Sequence, residues 1–264
     1  MSTRVLGVRI DAMTVEEAAG AVLEQVRTAR AALAAGAAGG QAVASPRRPL
    51  WVVVTPNPEI IMTARKTPDL AAILDKADLA VPDGVGLLWA ARRQGTPLAE
   101  RVAGFDLLCR ILERGAGERL RVFFLGAAPG VAEEAARRCL EKHPGLELAG
   151  THHGYFGPSE DAGVADLVAR SGAEFVAVGM GSPRQERWVQ AARTVLESSE
   201  SRVVVAMLVG GSFDVLSGRL KRAPHWASCL GLEWLVRIVG QPSRWRRALP
   251  LVRFALAILR GGRG

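Results

Sequence analysis

Cysteine is scarce in this chain: three in 264 residues, Cys109, Cys139 and Cys229, with no CxxC spacing. An odd, scattered set makes a poor disulfide framework and offers no paired thiolates to zinc, so the chain reads as reduced and cytoplasmic. The opening MSTRVLGVRIDAM has neither an apolar stretch nor a small-residue cleavage site, so no signal peptide is expected. No window reaches the roughly 18 consecutive apolar residues of a membrane span. The apolar stretch 248–259 is too short and is broken by Pro250 and Arg253.

Chemical signatures are missing as well. There is no GxxxxGK[ST] loop, and neither 84–89 nor 179–184 completes GxGxxG, which weakens the P-loop and nicotinamide readings. No HExxH, HxxxH or GxSxG occurs, and no two aspartates stand two apart to hold a metal on a nucleotide diphosphate. His143, His152, His153 and His225 therefore read as surface or hydrogen-bonded histidines. No metal site and no cofactor are expected.

What is present is enough apolar sequence for a sizeable core: 49% hydrophobic residues against 23% charged. The length fits one large domain, or one domain with an appendage. The net charge of +8 is local. Residues 219–264 hold ten Lys/Arg and a single acid, Glu233, whereas residues 1–218 hold 24 bases and 25 acids. Trp226, Trp234 and Trp245 share the basic tail. Basic residues with tryptophan beside a short apolar stretch suit an anionic membrane surface, and the near-neutral body argues against general nucleic-acid binding. A solvated basic helix with core tryptophans is the plainer alternative.

Along the chain, short apolar runs alternate with helical stretches. VLGVRI (5–10) reads as a strand, after which Thr14 and Glu17 form a capping box for a helix. That helix runs into GAAGGQAVASPRRP (36–49), read as a flexible insertion. LWVVV (50–54), ADLAV (77–81), RVFFLG (121–126), LELAG (146–150), FVAVG (175–179) and RVVVAMLVG (202–210) read as strands. Helices are expected after 127 and near 160–171 and 184–197. Such alternation predicts an α/β fold around a parallel sheet. After Gly218 the strands stop, which divides the chain into a core, 1–218, and a basic helical appendage, 219–264.

Parallel sheets gather ligands at the carboxyl ends of their strands. The segments after these strands are TPNPE (55–59), PDGVG (82–86), AAPG (127–130), Tyr155-Phe156, GMGSPRQE (179–186) and GGSFD (210–214), and most carry glycine. Glycine lets the backbone approach a ligand, and helix starts favour phosphate. Asp83, between a proline and a glycine at a strand end, is the acid best placed to act as a general base. An aspartate there can equally cap the following helix.

Taken together, TPNPEI, ADLAVPDGVG, RVAGFDL, FFLGAAPGVAE, HGYF, GMGSPRQE, VGGSFDVLSGRLKRAP and GLEWLVRIVGQPSRWRR resemble, in order, the motifs of the WecG/TagA/CpsF family of bacterial glycosyltransferases. The resemblance spans about residues 50 to 250. It implies a Rossmann-like parallel-sheet core with helices on both faces and a C-terminal helical appendage. It also implies an inverting, metal-independent transfer from a UDP-sugar, often N-acetylmannosamine or its uronate, to a polyprenyl-diphosphate-linked sugar, with the protein attached peripherally to the inner face of the cell membrane. Asp83 would be the base. Thr55, Asn57, Arg101 and Gln185 would line the donor-sugar and diphosphate pocket, with Tyr155 and Asp214 near the nucleoside. Arg237, Arg244 and Arg247 would belong to an appendage that docks on the membrane and closes over the site. Self-association is a further implication. Two other classes stay open on the residues alone: another nucleotide-sugar enzyme such as an epimerase, and a non-catalytic peripheral membrane binder.

Overall fold

The computed structural model describes residues 2–38, 49–221 and 248–261. The chain begins with β1 (Ser2–Val5), β2 (Val8–Asp11) and α1 (Val15–Ala38), followed by β3 (Trp51–Val54), α2 (Pro58–Ala64), α3 (Pro68–Asp75) and β4 (Leu79–Ala80). Next come α4 (Val85–Arg93), α5 (Gly104–Ala116), β5 (Arg121–Gly126), α6 (Val131–Lys142), β6 (Glu147–His152) and α7 (Asp161–Arg170). The series ends with β7 (Phe175–Gly179), α8 (Arg184–Leu196), β8 (Val205–Leu208), α9 (Ser212–Leu216) and, beyond residues 222–247, α10 (Ala248–Leu259).

β3 to β8 form a six-stranded parallel sheet in the order β4-β3-β8-β7-β5-β6. Their sequences are almost wholly apolar because both faces are covered. Alternation along each strand sends Val52, Val54, Val176, Val178, Ala206 and Leu208 into one core, with α2, α3, α4, α7, α8 and α10. Val53, Val122, Phe124, Val205 and Met207 enter the other, with α1, α5, α6 and Phe213 of α9. Connections that move toward β4 run over the first face and the β5–β6 connection passes over the second; the long β4–β5 connection lays α4 on the first face before α5 crosses the second.

The structure corrects three local readings. VLGVRI is not one strand but the turn and arms of a hairpin, since Leu6 (φ 49°) and Gly7 (φ 87°) both take the positive φ of a tight two-residue turn. Burial of Leu6, 7% exposed, holds a residue that would otherwise resist that conformation. α1 continues through 36–38, the start of the expected insertion; residues 39–48 of that insertion lie outside the described residues. ADLAV is strand only at Leu79–Ala80. The Thr14–Glu17 capping box is present: Thr14 N–H donates to Glu17 Oε2 at 2.8 Å and Glu17 N–H donates to Thr14 Oγ1 at 3.2 Å.

Candidate active site

The connections diverge at two places along the carboxyl rim. β3 leads to α2 on the first face while its neighbour β8 leads to α9 on the second. Likewise β7 leads to α8 on the first face and β5 leads to α6 on the second. Diverging connections of this kind leave space for a ligand. Between them the rim is built from main chain. Gly126 and Gly179 face each other in register, so closely that a Cβ on Gly126 would overlap the Gly179 carbonyl. A Cβ on Gly179 would lie 2.8 Å from Gly210 O, and one on Gly154 would lie 3.0 Å from Gly126 Cα.

At the β3–β4 end the predicted residues meet. The turns TPNPE and PDGVG are pressed together, with Pro58 Cγ 3.0 Å from the Cβ position of Gly86. Asp83 N–H donates to Pro56 O at 3.0 Å, and Val102 N–H donates to Pro82 O at 2.9 Å. Asp83 is half-buried, and its Oδ2 accepts from Gly104 N–H at 3.4 Å. Gly104 begins α5, so the carboxylate reaches across to a helix other than α4, which directly follows it. Thr55 packs on the same glycine: a Cβ at Gly104 would lie 2.8 Å from Thr55 Oγ1. The Thr55 hydroxyl is 3.5 Å from Leu208 O at the end of β8. Arg101 Nη2 lies 3.9 Å from Asp106 Oδ2, with the Arg101 side chain 14% exposed. Asn57 is the N-cap of α2, its Oδ1 accepting from Ile60 N–H at 2.9 Å.

The other predicted residues are spread along the rim. Gln185 is 3% exposed and links two loops: its Oε1 accepts from Gly210 N–H at 3.1 Å and its Nε2 donates to Glu186 Oε1 at 3.3 Å. Asp214 lies in α9, its backbone carbonyl accepting from Leu220 N–H at 2.8 Å. Tyr155, 74% exposed, stands beyond β6 at the far end. Arg237, Arg244 and Arg247 lie outside the described residues.

Three features of the rim were missed from sequence. The Arg184 guanidinium lies 5.1 Å from the Phe156 ring centroid and pairs with Asp161. Arg219 Nη2 would be 3.7 Å from a Cβ on Gly130, the N-cap of α6, where no side chain caps the helix. Glu186 is 1% exposed, and burial holds its carboxyl above the usual carboxylate range. Arg219 and Glu186 both lie inside the quoted motif stretches. The Gly130 neighbour of Arg219 is far away in sequence, and the burial of Glu186 comes from packing that its local sequence does not display.

α10 packs Phe254 and Ile258 into the first-face core, while Leu249, Val252, Leu256 and Leu259 remain exposed. Among the described residues no helix is long and apolar enough to cross a membrane. No three His, Cys, Asp or Glu side chains among them converge as metal ligands.

A doubly wound parallel sheet with polar residues collected at its carboxyl rim defines an α/β enzyme of the kind that takes its ligand at the strand ends. The chain belongs to the glycosyl transferase WecG/TagA/CpsF family, whose sequence profile matches residues 3–263. It is 38% identical over 208 residues to an N-acetylglucosaminyldiphosphoundecaprenol N-acetyl-beta-D-mannosaminyltransferase of Bacillus spizizenii, an alignment covering 79% of this chain and 78% of that enzyme. It is 33% identical over 209 residues to the enzyme of the same name from Bacillus subtilis, covering 79% of each. The protein is a glycosyltransferase.

Proposed function

We propose that the enzyme transfers N-acetylmannosamine, its uronate or a related hexose from a UDP-sugar to a sugar carried on a polyprenyl diphosphate, with inversion and without a metal. The observation that carries this reading is the convergence of Thr55, Asp83 and Arg101 around the start of α5, in a chain 38% identical to an enzyme named for an undecaprenyl-diphosphate-linked acceptor.

In the proposed step Asp83 takes the proton of the acceptor hydroxyl as its oxygen attacks the anomeric carbon. The bond from that carbon to the UDP oxygen breaks, and UDP leaves with the bonding electrons. Charge growing on the diphosphate requires donors already in place. The main-chain rim and Arg101 supply candidates, and so does Arg219 beside the uncapped start of α6. Arg237, Arg244 and Arg247 are proposed to add to them from an appendage, 219–264, that acts as a unit separate from the core, 1–218. Thr55, Asn57 and Gln185 would contact the donor sugar and diphosphate, with Tyr155 and Asp214 near the nucleoside.

The exposed apolar face of α10 and the basic tail support peripheral attachment to an anionic membrane, on the cytoplasmic side where the nucleotide sugar is available. Self-association belongs to the same proposal. The test is UDP release by the full chain with N-acetylglucosaminyl-diphosphoundecaprenol as acceptor and a panel of UDP-sugars as donors. Acceptor-dependent UDP release, greatest with UDP-N-acetylmannosamine or a close relative, supports the reading. Conversion of the donor without acceptor overturns it in favour of an epimerase-type enzyme.

A further inference from the structure

Among the described residues only two carboxylates are buried, Glu174 and Glu186. Glu174 is fully used: Arg30 grips both of its oxygens at 2.6 Å, and Arg121 N–H adds a third bond at 3.2 Å. Glu186 is treated differently. Among the described residues no cation lies within ion-pair distance of it, Arg187 exerting only a weak pull, and its Oε2 has no hydrogen-bond partner. A buried acid with an orphaned oxygen is a poor structural choice, because an apolar side chain of similar size fills the space without the desolvation cost. Burial pushes its carboxyl up, although its own backbone N–H, Gln185 and Ser182 pull the other way.

What the carboxyl does is hold Gln185. Its Oε1 accepts from Gln185 Nε2 at 3.3 Å, while Gln185 Oε1 accepts from Gly210 N–H at 3.1 Å. The two bonds fix which end of the amide is oxygen and which is nitrogen. An amide nitrogen carries two hydrogens, so one N–H remains and its direction is set. Gly210 follows the end of β8, the same strand end whose Leu208 carbonyl lies by the Thr55 hydroxyl.

We propose that Glu186 is a positioning residue for sugar transfer: it locks the Gln185 amide so that its oxygen ties down Gly210 and its remaining N–H is presented to the donor. The proposal rests on the reading of Gln185 as a donor contact.

The experiment measures donor KM, kcat and thermal stability in the full chain for Glu186→Gln, Glu186→Met, Gln185→Ala and the double variant Gln185→Ala/Glu186→Met. Glu186→Gln keeps an oxygen acceptor and should stay within about twofold of wild type in KM. Glu186→Met removes the acceptor that orients Gln185 and should raise donor KM by about 10–100-fold, the scale of a lost hydrogen bond from the amide to the charged donor diphosphate. Its melting temperature should be unchanged or higher, since the orphaned oxygen is gone. In the Gln185→Ala background Glu186→Met should raise KM no further, because the proposed effect on the donor runs through that amide. An unchanged KM in Glu186→Met, a lowered melting temperature, or effects that add in the double variant each overturn the positioning role. If Gln185→Ala itself leaves KM unchanged, the underlying donor-contact reading fails and the positioning role falls with it.

Discussion

The Asp83 carboxylate and the Gly104 N–H stand 3.4 Å apart, so the acid that follows β4 is held by the first turn of α5. Asparagine offers the same N–H an oxygen acceptor but cannot take a proton. Asp83→Asn should therefore bind UDP-sugar as wild type does and melt at a similar temperature, while kcat falls by about 10²–10⁴. Calorimetry with donor and a UDP-release assay check both halves. Turnover that survives the substitution removes Asp83 from the role of base.

Gly104 itself is a second test. A methyl group there would lie 2.8 Å from Thr55 Oγ1 and 3.2 Å from its Cβ and Cγ2. Gly104→Ala should cost about 1–3 kcal/mol by overpacking and lower activity by displacing Thr55. Adding Thr55→Ala relieves the overlap. Urea unfolding should then recover most of the lost stability, whereas activity should not return.

The readable and unreadable parts of this molecule divide along the range of the forces involved. The runs 50–54, 121–126, 175–179 and 202–210 announce buried strands because a sheet covered on both faces needs unbroken apolar sequence. Their alternation with helical stretches carried the α/β class, and the loops that follow them carried the family resemblance. Strand order was not legible, since Trp51 pairs with Val205 and nothing near either residue encodes the other. VLGVRI hid its turn because Leu6 is apolar and adopts positive φ only under burial. The site was legible as a set of loops but not as contacts. Thr55 and Asp83 are drawn to one helix start by Gly104, a residue that local sequence gave no reason to single out, and Arg101 lies by Asp106 in the same first turn. Gln185 was read as a pocket residue without its burial or its bond to Gly210. Glu186 was overlooked because an acid in a first helical turn ordinarily suggests a solvated charge.

Glu186 also makes a prediction about pH. Burial raises its folded-state value above the ordinary 4.5, so the folded protein binds more protons than the unfolded chain in the interval above that. Stability contributed by the neutral acid is full at low pH and declines as pH rises from about 4.5 toward the folded value. Glu186→Gln abolishes this titration. The melting temperature of the variant minus that of wild type should be smallest in acid, grow as pH rises above about 4.5 and level off beyond the raised folded-state value. A difference that is flat with pH would falsify the assignment of a neutral buried acid.

Val252 and Leu256, 57% and 44% exposed on α10, separate membrane attachment from folding. Val252→Glu and Leu256→Glu should leave stability within about 0.5 kcal/mol. Co-sedimentation with phosphatidylglycerol vesicles should weaken by at least about tenfold for each, as one apolar side chain is withheld from the bilayer. Phe254→Ala, at a position 2% exposed, should instead lower stability by about 3 kcal/mol. Equal vesicle binding by all three variants would place the membrane contact elsewhere.

The pairing of β3 with β8 near the middle of the sheet sets a timetable for synthesis. β3 is made early, yet one of its edges has no neighbour until Val205–Leu208 leaves the ribosome. Until then the growing chain carries an open apolar strand, a template for mispairing that grows more hazardous with delay. The contact between Thr55 and Leu208 spans 153 positions. A nascent chain interrupted before β8 therefore has five of the six rim loops in full, but β3 and β7 lack the strand that lies between them. Assembly of the rim is among the last events in the protein's making.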